Sequence, residues 1–361
     1  MSAILRAMQR PRRHSLAIEL TSRCNQRCGY CYNAWREDNG RSVGALASDE
    51  LVALVERALA EVEFEQVTLT GGEPLARADL FRVLDVCRSS GVTIQMISNG
   101  GLVTEAIARR LATYPISFIQ ITLNGTTAAM HDEHVGGDHH AGTIAGIETL
   151  VRHGVRVVGC VVVTRKNAAT VGEILDQFRG LGVTTVALSR FSPAGFAAAN
   201  VAALLPSRGE VMQALAHGQA RAQAGMDIQV TMPIPPCVVE HADYPDVRFG
   251  GCPIGTEAQE FALGPRGELR SCTLHSDVIG DARTTSLAAL VEAPAVRGYR
   301  DVTPAFCAPC SHRSTCIGGC GAAAASTLGD ARGLDPFVAQ HVDDEFAARL
   351  RRGRARLSVL P

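Results

Sequence analysis

Short runs of β-branched and aliphatic residues alternate with amphipathic stretches over about residues 16 to 231. The apolar runs have the length of buried strands, and the stretches between them repeat apolar residues at helical spacing. This alternation is typical of βα units around a parallel sheet. The predicted strands are LAIEL (16–20), VTLTGG (67–72), TIQMISNG (93–100), FIQITLNG (118–125), VRVVGCVVVT (155–164) and VTTVALSRF (183–191). Six strands predict an α/β fold built on a partial barrel, (β/α)6.

The segments between these strands predict helices. SDELVALVERALAEV keeps apolar residues at helical spacing and has Ser48 as its expected N-cap. Similar segments cover 79–89, 104–112, 142–153 and 171–180. A closed eight-stranded barrel would need two more units, which the pattern does not reveal. We therefore predict a partial barrel at 16–231 after an N-terminal extension at 1–15.

The pattern changes at about residue 232. MPIPPC introduces a proline-rich break, and cysteine, glycine and short turns then replace the βα alternation. This change predicts a small metal-supported domain at 232–345. A basic tail follows at 346–361, which we expect to be a solvated terminus.

Composition indicates a globular protein of ordinary charge. Among 361 residues, 46% are hydrophobic and 20% charged, and the net charge of −1 gives no indication of a nucleic-acid partner. The sequence shows no signal peptide and no apolar segment of membrane-spanning length, so we expect a cytoplasmic protein without a membrane partner. In a reducing compartment, its 12 cysteines favour metal or redox use over a disulfide framework.

Three cysteines follow the first predicted strand in a C-x3-C-x2-C pattern: Cys24, Cys28 and Cys31. The loops that follow barrel strands are the usual place for chemistry. Three thiolates can hold three irons of a [4Fe–4S] cluster and leave the fourth iron open to a ligand. Structural zinc is the weaker interpretation, because this loop offers no histidine as a fourth ligand.

The segment TSRCNQRCGYCYN resembles the signature loop of the radical S-adenosylmethionine (SAM) superfamily. The resemblance implies that the open iron chelates the methionine moiety of SAM and that Tyr30 lies near the adenine. The alternative for Tyr30 is a buried side chain that fills the barrel mouth. TGGEP ends the second strand with Gly71, Gly72, Glu73 and Pro74, and resembles the motif that binds the amino group of SAM. Taken alone, this motif could be a strand-to-helix turn.

Polar residues at further strand ends match positions that the family uses for SAM. Ser98, Asn99, Thr122 and Thr164 carry short hydroxyl or amide side chains, which suit the ribose and the carboxylate. Arg190 follows the sixth strand. We expect it either to pair with the carboxylate of SAM or to form a surface salt bridge.

A second group of cysteines resembles the SPASM extension of radical SAM enzymes that mature peptides and proteins. Its members are Cys252, Cys272, Cys307, Cys310, Cys316 and Cys320. The resemblance implies one or two auxiliary iron–sulfur clusters, expected to be [4Fe–4S], in a small C-terminal Cys-rich domain. Cys252, Cys272 and Cys320 would bind the first cluster, and the other three would bind the second. Cys237 either completes the first cluster or is an ordinary loop thiol.

The sequence departs from the SPASM pattern at its end. The family pattern has a seventh cysteine downstream, whereas no cysteine follows Cys320, and Val338 stands about where it is expected. The second site is therefore expected to use Asp335 or His341, to keep an open iron, or to hold zinc or a smaller cluster.

Several reactive residues are not assigned to a site. The histidine-rich run at 131–140 is expected to be a polar loop, with substrate-side contacts or solvation preferred over a metal site. Trp35 is expected to pack at the barrel mouth. Cys87 and Cys160 are expected to be buried thiols.

The resemblance implies reductive cleavage of SAM to a 5′-deoxyadenosyl radical that takes hydrogen from a substrate. The main hypothesis is a ribosomally made precursor peptide that undergoes cross-linking or oxidation. A separate leader-peptide-binding protein is expected, because little sequence precedes Cys24, and so is an electron donor such as flavodoxin or ferredoxin. Sulfatase maturation is disfavoured, because Thr273 follows Cys272 where such relatives tend to carry aspartate. A small-molecule enzyme, acting on a tetrapyrrole or carbohydrate, is the alternative, and the intact motifs argue against a non-catalytic cluster protein.

Overall fold

The computed structural model describes residues 10–33, 36, 45–301 and 303–342. Trp35 and the predicted tail at 346–361 lie outside these residues. Within the described part of the chain, no helix is both long enough and apolar enough to span a membrane.

The described residues contain one sheet of 11 strands. The strands are β1 (Arg12–Glu19), β2 (Glu63–Thr70), β3 (Thr93–Ser98), β4 (Ile116–Thr122), β5 (Val157–Val163), β6 (Thr185–Arg190), β7 (Asp227–Val230), β8 (Val247–Phe249), β9 (Glu260–Leu263), β10 (Glu268–Arg270) and β11 (Val278–Asp281). Their order is β11-β10-β9-β1-β2-β3-β4-β5-β6-β7-β8. Strands β1 to β8 follow one another in parallel, β9 lies parallel to β1, and β10 and β11 extend that edge antiparallel.

Helices connect and cover these strands. They are α1 (Ser48–Glu61), α2 (Leu80–Ser90), α3 (Glu105–Leu111), α4 (Ala128–Val135), α5 (His140–Arg152), α6 (Val171–Gly180), α7 (Val201–Leu204), α8 (Arg208–Gln223), α9 (Leu287–Leu290), α10 (Pro294–Arg297), α11 (Arg313–Cys316), α12 (Gly321–Leu328) and α13 (Pro336–Val342). The helices predicted from spacing are confirmed as α1, α2, α3, α5 and α6. Ser48 is the first residue of α1 and not its N-cap, which is Ala47. The Ser48 side chain instead hydrogen-bonds Asp79.

The central strands are covered on both faces. β5 is a continuous apolar run, VVGCVVV, of which all but one residue is buried, as expected for a parallel strand between helices. Gly159 in this strand leaves room for the ring of Phe178 from α6, because a Cβ there would lie 2.8 Å from the ring. The same hydrophobic core includes Phe261 of β9 and Phe337 of α13. The C-terminal region therefore packs directly on the barrel strands.

The predicted α/β fold with a partial barrel is confirmed. The sheet is longer than the six predicted strands, because β7 and β8 continue the parallel series beyond β6 and β9 joins the other edge at β1. The strand β1 begins at Arg12, inside the segment predicted as an N-terminal extension. Because β8 and β9 both follow residue 231 and both pair with barrel strands, one sheet spans the predicted domain boundary. The division into domains stays a prediction.

Candidate functional site

The cysteine loop at 24–31 leaves the carboxyl end of β1, and the last turn of α4 holds its backbone. The N–H of Arg27 donates to the carbonyl of Val135 at 2.8 Å, and the N–H of Gly29 donates to that of His134 at 3.0 Å. The carbonyls at the end of a helix lack partners within the helix and are free to accept such bonds. The helix end thus fixes the loop without any side chain that the cysteine pattern would reveal.

The histidine-rich run at 131–140 is not the polar loop expected from the sequence. His131 and His134 lie on α4 and are buried. His134 Nε2 and Thr164 Oγ1 are hydrogen-bonded at 2.9 Å, and His131 Nδ1 accepts the N–H of Asn124 at 3.2 Å. Burial lowers the pKa of His131 to about 4, so that its imidazole is neutral near pH 7. These histidines anchor α4, whose last turn holds the cysteine loop.

The far side of the cysteine loop rests on the 3-10 helix Gly195–Asn200. The N–H of Ala197 donates to the carbonyl of Cys31 at 2.8 Å, and the side-chain amide of Asn200 donates to the carbonyl of Gly29, also at 2.8 Å. The loop is therefore clamped between α4 and this 3-10 helix. Both contacts come from segments more than a hundred residues downstream, where nothing in the sequence points back to the cysteines.

Arg36 is a functional candidate that sequence reasoning missed. Its guanidinium donates to the carbonyl of Gln26 at 3.0 Å and to that of Cys28 at 3.3 Å, and it hydrogen-bonds the side chain of Cys31. It also lies 5.0 Å from the ring centre of Phe196. Arg36 thus places a positive charge beside the thiols. Its position five residues after the last cysteine was the only signal in the sequence.

The three thiols of the loop influence one another. Burial raises the pKa of Cys24, and burial together with the charge of Cys31 raises the pKa of Cys28 to about 12. A thiolate is the form that binds metal, and in such surroundings it needs a neighbouring positive charge. Three such thiols in one loop fit three irons of a [4Fe–4S] cluster, whose positive irons would supply that charge.

TGGEP packs against the first residues of the same loop. The N–H of Gly72 donates to the carbonyl of Thr21 at 2.6 Å, and the N–H of Glu73 donates to that of Arg23 at 2.8 Å. A Cβ on Gly72 would lie 2.0 Å from the Arg23 oxygen, and Gly71 has a φ of +126°, which side chains rarely adopt. The two glycines are therefore required for the contact between this motif and the cysteine loop. Pro74 opens the 3-10 helix that follows.

Glu73 links the ends of β2 and β3. Its carboxylate is fully buried and accepts hydrogen bonds from the Ser98 hydroxyl at 2.8 Å, the Asn99 N–H at 2.8 Å and the Leu75 N–H at 3.0 Å. Burial raises the pKa of Glu73, although these hydrogen bonds oppose the shift. The Asn99 side chain donates to Asn25 Oδ1 at 2.7 Å and reaches within 3.8 Å of the sulfur of Cys24. The cysteine loop, TGGEP and the end of β3 thus form one connected rim.

The other residues predicted to contact SAM are Tyr30 in the cysteine loop, Thr122 at the end of β4 and Thr164 directly after β5. The Tyr30 phenol hydrogen-bonds Cys28, and burial raises its pKa. Its ring packs against the main hydrophobic core. Thr122 hydrogen-bonds the buried thiol of Cys160, and the Thr164 hydroxyl is hydrogen-bonded to the imidazole of His134. Each of these side chains already has a partner within the protein.

The rim lies in the part of the chain that matches a known family. Residues 18–178 match the family described as the radical SAM superfamily, and this match includes the cysteine loop and TGGEP. Curated relatives include "PqqA peptide cyclase" of Gluconobacter oxydans, 29% identical over 334 residues that cover 89% of each chain, and that of Streptomyces rochei, 25% identical over 89% of this chain and 88% of the relative.

Solved structures share the fold of this chain. Streptococcus suis SuiB bound to S-adenosylmethionine superposes with a TM-score of 0.70 at 15% identity, over 90% of this chain and 76% of SuiB. The structure of anSMEcpe with bound AdoMet and Cp18Cys peptide gives 0.69 at 17% identity, over 95% of this chain and 98% of that one. At these identities the likeness concerns the fold.

Arg190 forms a salt bridge, one of the two contacts expected for it, but inside the protein. Its guanidinium is buried and pairs with Asp335 at 2.7 Å, so the salt bridge is internal and not on the surface. The same carboxylate accepts the N–H of Cys320 at 2.9 Å through one oxygen and that of Phe337 at 2.9 Å through the other. Both oxygens of Asp335 are thus engaged in joining β6 to α12 and α13. We conclude that Asp335 serves the fold and not the second metal site.

The C-terminal cysteines influence one another both within and across the two groups predicted for them. Burial, with the charges of Cys320 and Cys252, raises the pKa of Cys272 to about 12. Burial also raises the pKa of Cys252, and the charge of Cys316, from the other predicted group, adds to that shift. Cys307, Cys310 and Cys316 form the second group around α11. Partial burial, and then the charges of Cys316 and Cys310, raise the pKa of the Cys237 thiol, and the assignment of Cys237 to the first cluster stays a prediction. Among the described residues, no three His, Cys, Asp or Glu side chains are placed to hold a single metal ion.

A buried polar layer inside the barrel was also missed from the sequence. Glu19 at the end of β1 pairs with Arg270 of β10, and both side chains are buried. Glu260 of β9 accepts the hydroxyls of Ser15 at 2.9 Å and Thr68 at 3.0 Å, and burial raises its pKa. A carboxylate within the apolar strand LAIEL was the available signal, because buried charges are retained only with partners.

Proposed function

We propose that this radical SAM chain modifies a ribosomally synthesised precursor peptide by cross-link formation or oxidation. When bound, the cluster supplies the electron that cleaves SAM reductively to methionine and a 5′-deoxyadenosyl radical. The observation that carries the proposal is the single rim formed by the cysteine loop, TGGEP and the end of β3. On this rim, three thiols and a row of hydrogen-bonding groups face the carboxyl ends of parallel strands, where barrel enzymes place their active sites.

Within this proposal, the residues of the rim divide into ligands and positioning groups. Cys24, Cys28 and Cys31 hold three irons of the cluster. Arg36 lowers the electrostatic cost of the thiolates and ties down the loop backbone. The buried carboxylate of Glu73 fixes the rim segments relative to one another.

The SAM site is proposed around the same rim. Gly71, Gly72, Glu73 and Pro74 would present backbone groups of TGGEP to the amino group. Tyr30, Ser98, Asn99, Thr122 and Thr164 would line the adenosine and the methionine carboxylate. Asn99 is best supported, because its amide already lies at the cysteine loop. We leave Arg190 out of the proposed SAM site, because its guanidinium forms a buried ion pair with Asp335.

We further propose that residues 16–231 form the radical-generating barrel and that 232–345 bind one or two auxiliary iron–sulfur clusters. The two groups of C-terminal thiols support this division. Auxiliary clusters could accept an electron from the substrate radical, which is needed if the product is oxidised or cross-linked. We also propose that the polar layer of Glu19, Arg270 and Glu260 meets the substrate, because its members join β1 of the barrel to β9 and β10.

The peptide substrate is proposed from the relatives. The curated relatives are named for a peptide, PqqA, and a structure of SuiB bound to precursor peptide SuiA superposes with a TM-score of 0.69. A separate leader-peptide-binding protein and a flavodoxin or ferredoxin as electron donor complete the proposal, because each SAM cleavage consumes one electron. We place the reaction in the cytoplasm, where such thiol ligands stay reduced.

The experiment combines anaerobically reconstituted protein, dithionite, SAM and the short peptides encoded beside its gene. The expected result is a peptide whose mass falls by two hydrogens for each cross-link or desaturation, located by fragmentation. The Cys24→Ala/Cys28→Ala/Cys31→Ala variant is the matched control and should leave the peptide unchanged. If SAM is cleaved but only a small molecule is altered, the peptide assignment is wrong and the tailoring alternative replaces it.

A further inference from the structure

The side-chain amide of Asn99, directly after β3, lies against the sulfur of Cys24. Its Nδ2 atom is 3.8 Å from Cys24 Sγ and donates to Asn25 Oδ1 at 2.7 Å. An asparagine amide carries two donor hydrogens, so the same nitrogen serves both acceptors. The Cys24 sulfur also accepts the backbone N–H of Gln26 at 3.4 Å. One cysteine sulfur thus has two N–H donors, one from its own loop and one from the end of a neighbouring strand.

The orientation of the Asn99 amide is fixed by the backbone beside it. Asn99 Oδ1 accepts the N–H of Gly101 at 2.9 Å. Since a backbone N–H only donates, the oxygen of the amide must face it, and the NH2 group is turned toward the cysteine loop. A Cβ at residue 101 would lie 3.2 Å from Asn99 Oδ1 and 3.3 Å from Asn25 Nδ2. Glycine at this position therefore leaves room for both amides.

The main chain of Asn99 is held on both sides. Its N–H donates to the carboxylate of Glu73 at 2.8 Å, and its carbonyl accepts the hydroxyl of Thr143 on α5 at 3.1 Å. Both of these partners are fully buried. A side chain whose backbone and own oxygen are bonded in this way is pre-organised for its remaining contact. The protein alone therefore holds the amide donor at the Cys24 sulfur.

We propose that Asn99 is a positioning residue that raises the reduction potential of the cluster in the cysteine loop, through the hydrogen bond from its amide to the Cys24 sulfur. The inference rests on the proposed function in one respect, namely that this loop holds the cluster that reduces SAM. Reduction makes the cluster more negative, so a donor at a ligand sulfur stabilises the reduced form more than the oxidised form. This role differs from the proposed contact with SAM, because it needs no SAM.

The test is a potentiometric titration of the anaerobically reconstituted full chain without SAM, followed by electron paramagnetic resonance. The signal of this cluster is the one that Cys24→Ala/Cys28→Ala/Cys31→Ala lacks, which separates it from any auxiliary cluster. Asn99→Asp is the matched variant, because it keeps an oxygen for the N–H of Gly101 and replaces the donor. At a fixed potential, the ratio of reduced to oxidised cluster should fall about two- to tenfold, or about 20–60 mV for one electron. Asn99→Leu removes the donor without adding charge and should shift the potential in the same direction by less.

The control is Gln95→Leu, which removes a side-chain amide from the same strand. Gln95 Nε2 donates to Gln66 Oε1 at 2.8 Å, and Gln95 precedes Asn99 by four residues, about 13 Å along the strand. This substitution should leave the potential of the cluster unchanged.

A second measurement uses the wild-type chain and therefore does not depend on whether a variant folds or loads its cluster. The chain is labelled with ¹⁵N at the side-chain amide of asparagine, and the reduced cluster is studied by pulsed electron paramagnetic resonance. A hydrogen bond to a ligand sulfur transmits unpaired spin density to the donor nitrogen. We expect a ¹⁵N hyperfine coupling in the wild-type chain that is lost in Asn99→Leu.

Three results would overturn the inference: an unchanged potential in both Asn99 variants, no ¹⁵N coupling in the wild-type chain, or a shift in potential that appears only after SAM is added. The last of these would leave Asn99 as a SAM contact alone. A wild-type spectrum identical to that of Cys24→Ala/Cys28→Ala/Cys31→Ala would instead refute the cluster of the proposed function, so the two failures are distinguished.

Discussion

Gly72→Ala is the sharpest perturbation of the rim. The new Cβ would lie 2.0 Å from the carbonyl oxygen of Arg23, and real Cβ contacts essentially never fall below 3.0 Å. The two backbones must therefore separate by at least about 1 Å. Two hydrogen bonds cross this contact, from the N–H of Gly72 to Thr21 at 2.6 Å and from that of Glu73 to Arg23 at 2.8 Å. Each buried group left without a partner costs about 1–3 kcal/mol, so we expect a loss of about 2–6 kcal/mol in unfolding free energy.

The same shift moves the start of the cysteine loop, so cluster loading should fall with stability. Urea unfolding of the apoprotein measures the free energy, and iron content after reconstitution measures the loop. Gly209→Ala is the matched control, because nothing lies within 4 Å of a Cβ at that helical position. It should be neutral or stabilising by up to about 1 kcal/mol. Neutral surface substitutions typically change the unfolding free energy by no more than about 0.5 kcal/mol. If Gly72→Ala stays within that range of wild type and still binds a full cluster, TGGEP does not support the cysteine loop.

Two further predictions concern buried groups. Arg190→Met leaves the Asp335 carboxylate buried without a charged partner, which should lower the unfolding free energy measured in urea by about 3–5 kcal/mol. The affinity for SAM, measured by calorimetry on the folded protein, should stay unchanged. A specific loss of SAM affinity would return Arg190 to the SAM site. Burial lowers the pKa of folded His131 to about 4 from 6.5, so the unfolded chain takes up the proton first as the pH falls. Stability should therefore drop by up to about 3 kcal/mol between pH 6.5 and 4, and His131→Asn should flatten that slope relative to wild type. An unaltered slope would mean that His131 is not held neutral.

The elements that carry chemistry could be predicted from the sequence because their signals are local. C-x3-C-x2-C and TGGEP each lie within one loop, and the strands before them are long apolar runs. By contrast, β7, β8 and β9 have only three or four residues each, too few for a periodic pattern. The sheet therefore proved wider than the six strands predicted from periodicity.

Contacts between distant segments could not be predicted. Arg190 and Asp335 are 145 residues apart, and a charge at a strand end does not reveal its partner. The run at 131–140 suggested a polar loop by composition, yet His131 and His134 lie buried on a helix, and burial lowers the pKa of both. The neighbours of Cys237 likewise depend on how the chain folds back after β7. In each case tertiary packing, and not local propensity, decided the outcome.

The central claim is that the rim of this chain cleaves SAM reductively. The direct measurement is 5′-deoxyadenosine formed by anaerobically reconstituted protein with dithionite and SAM, followed by chromatography and mass spectrometry. The account predicts 5′-deoxyadenosine and methionine in equal amounts from the wild-type chain, and neither above background from Cys24→Ala/Cys28→Ala/Cys31→Ala. A wild-type protein that carries its [4Fe–4S] cluster, is reduced by dithionite and still forms no 5′-deoxyadenosine would contradict it.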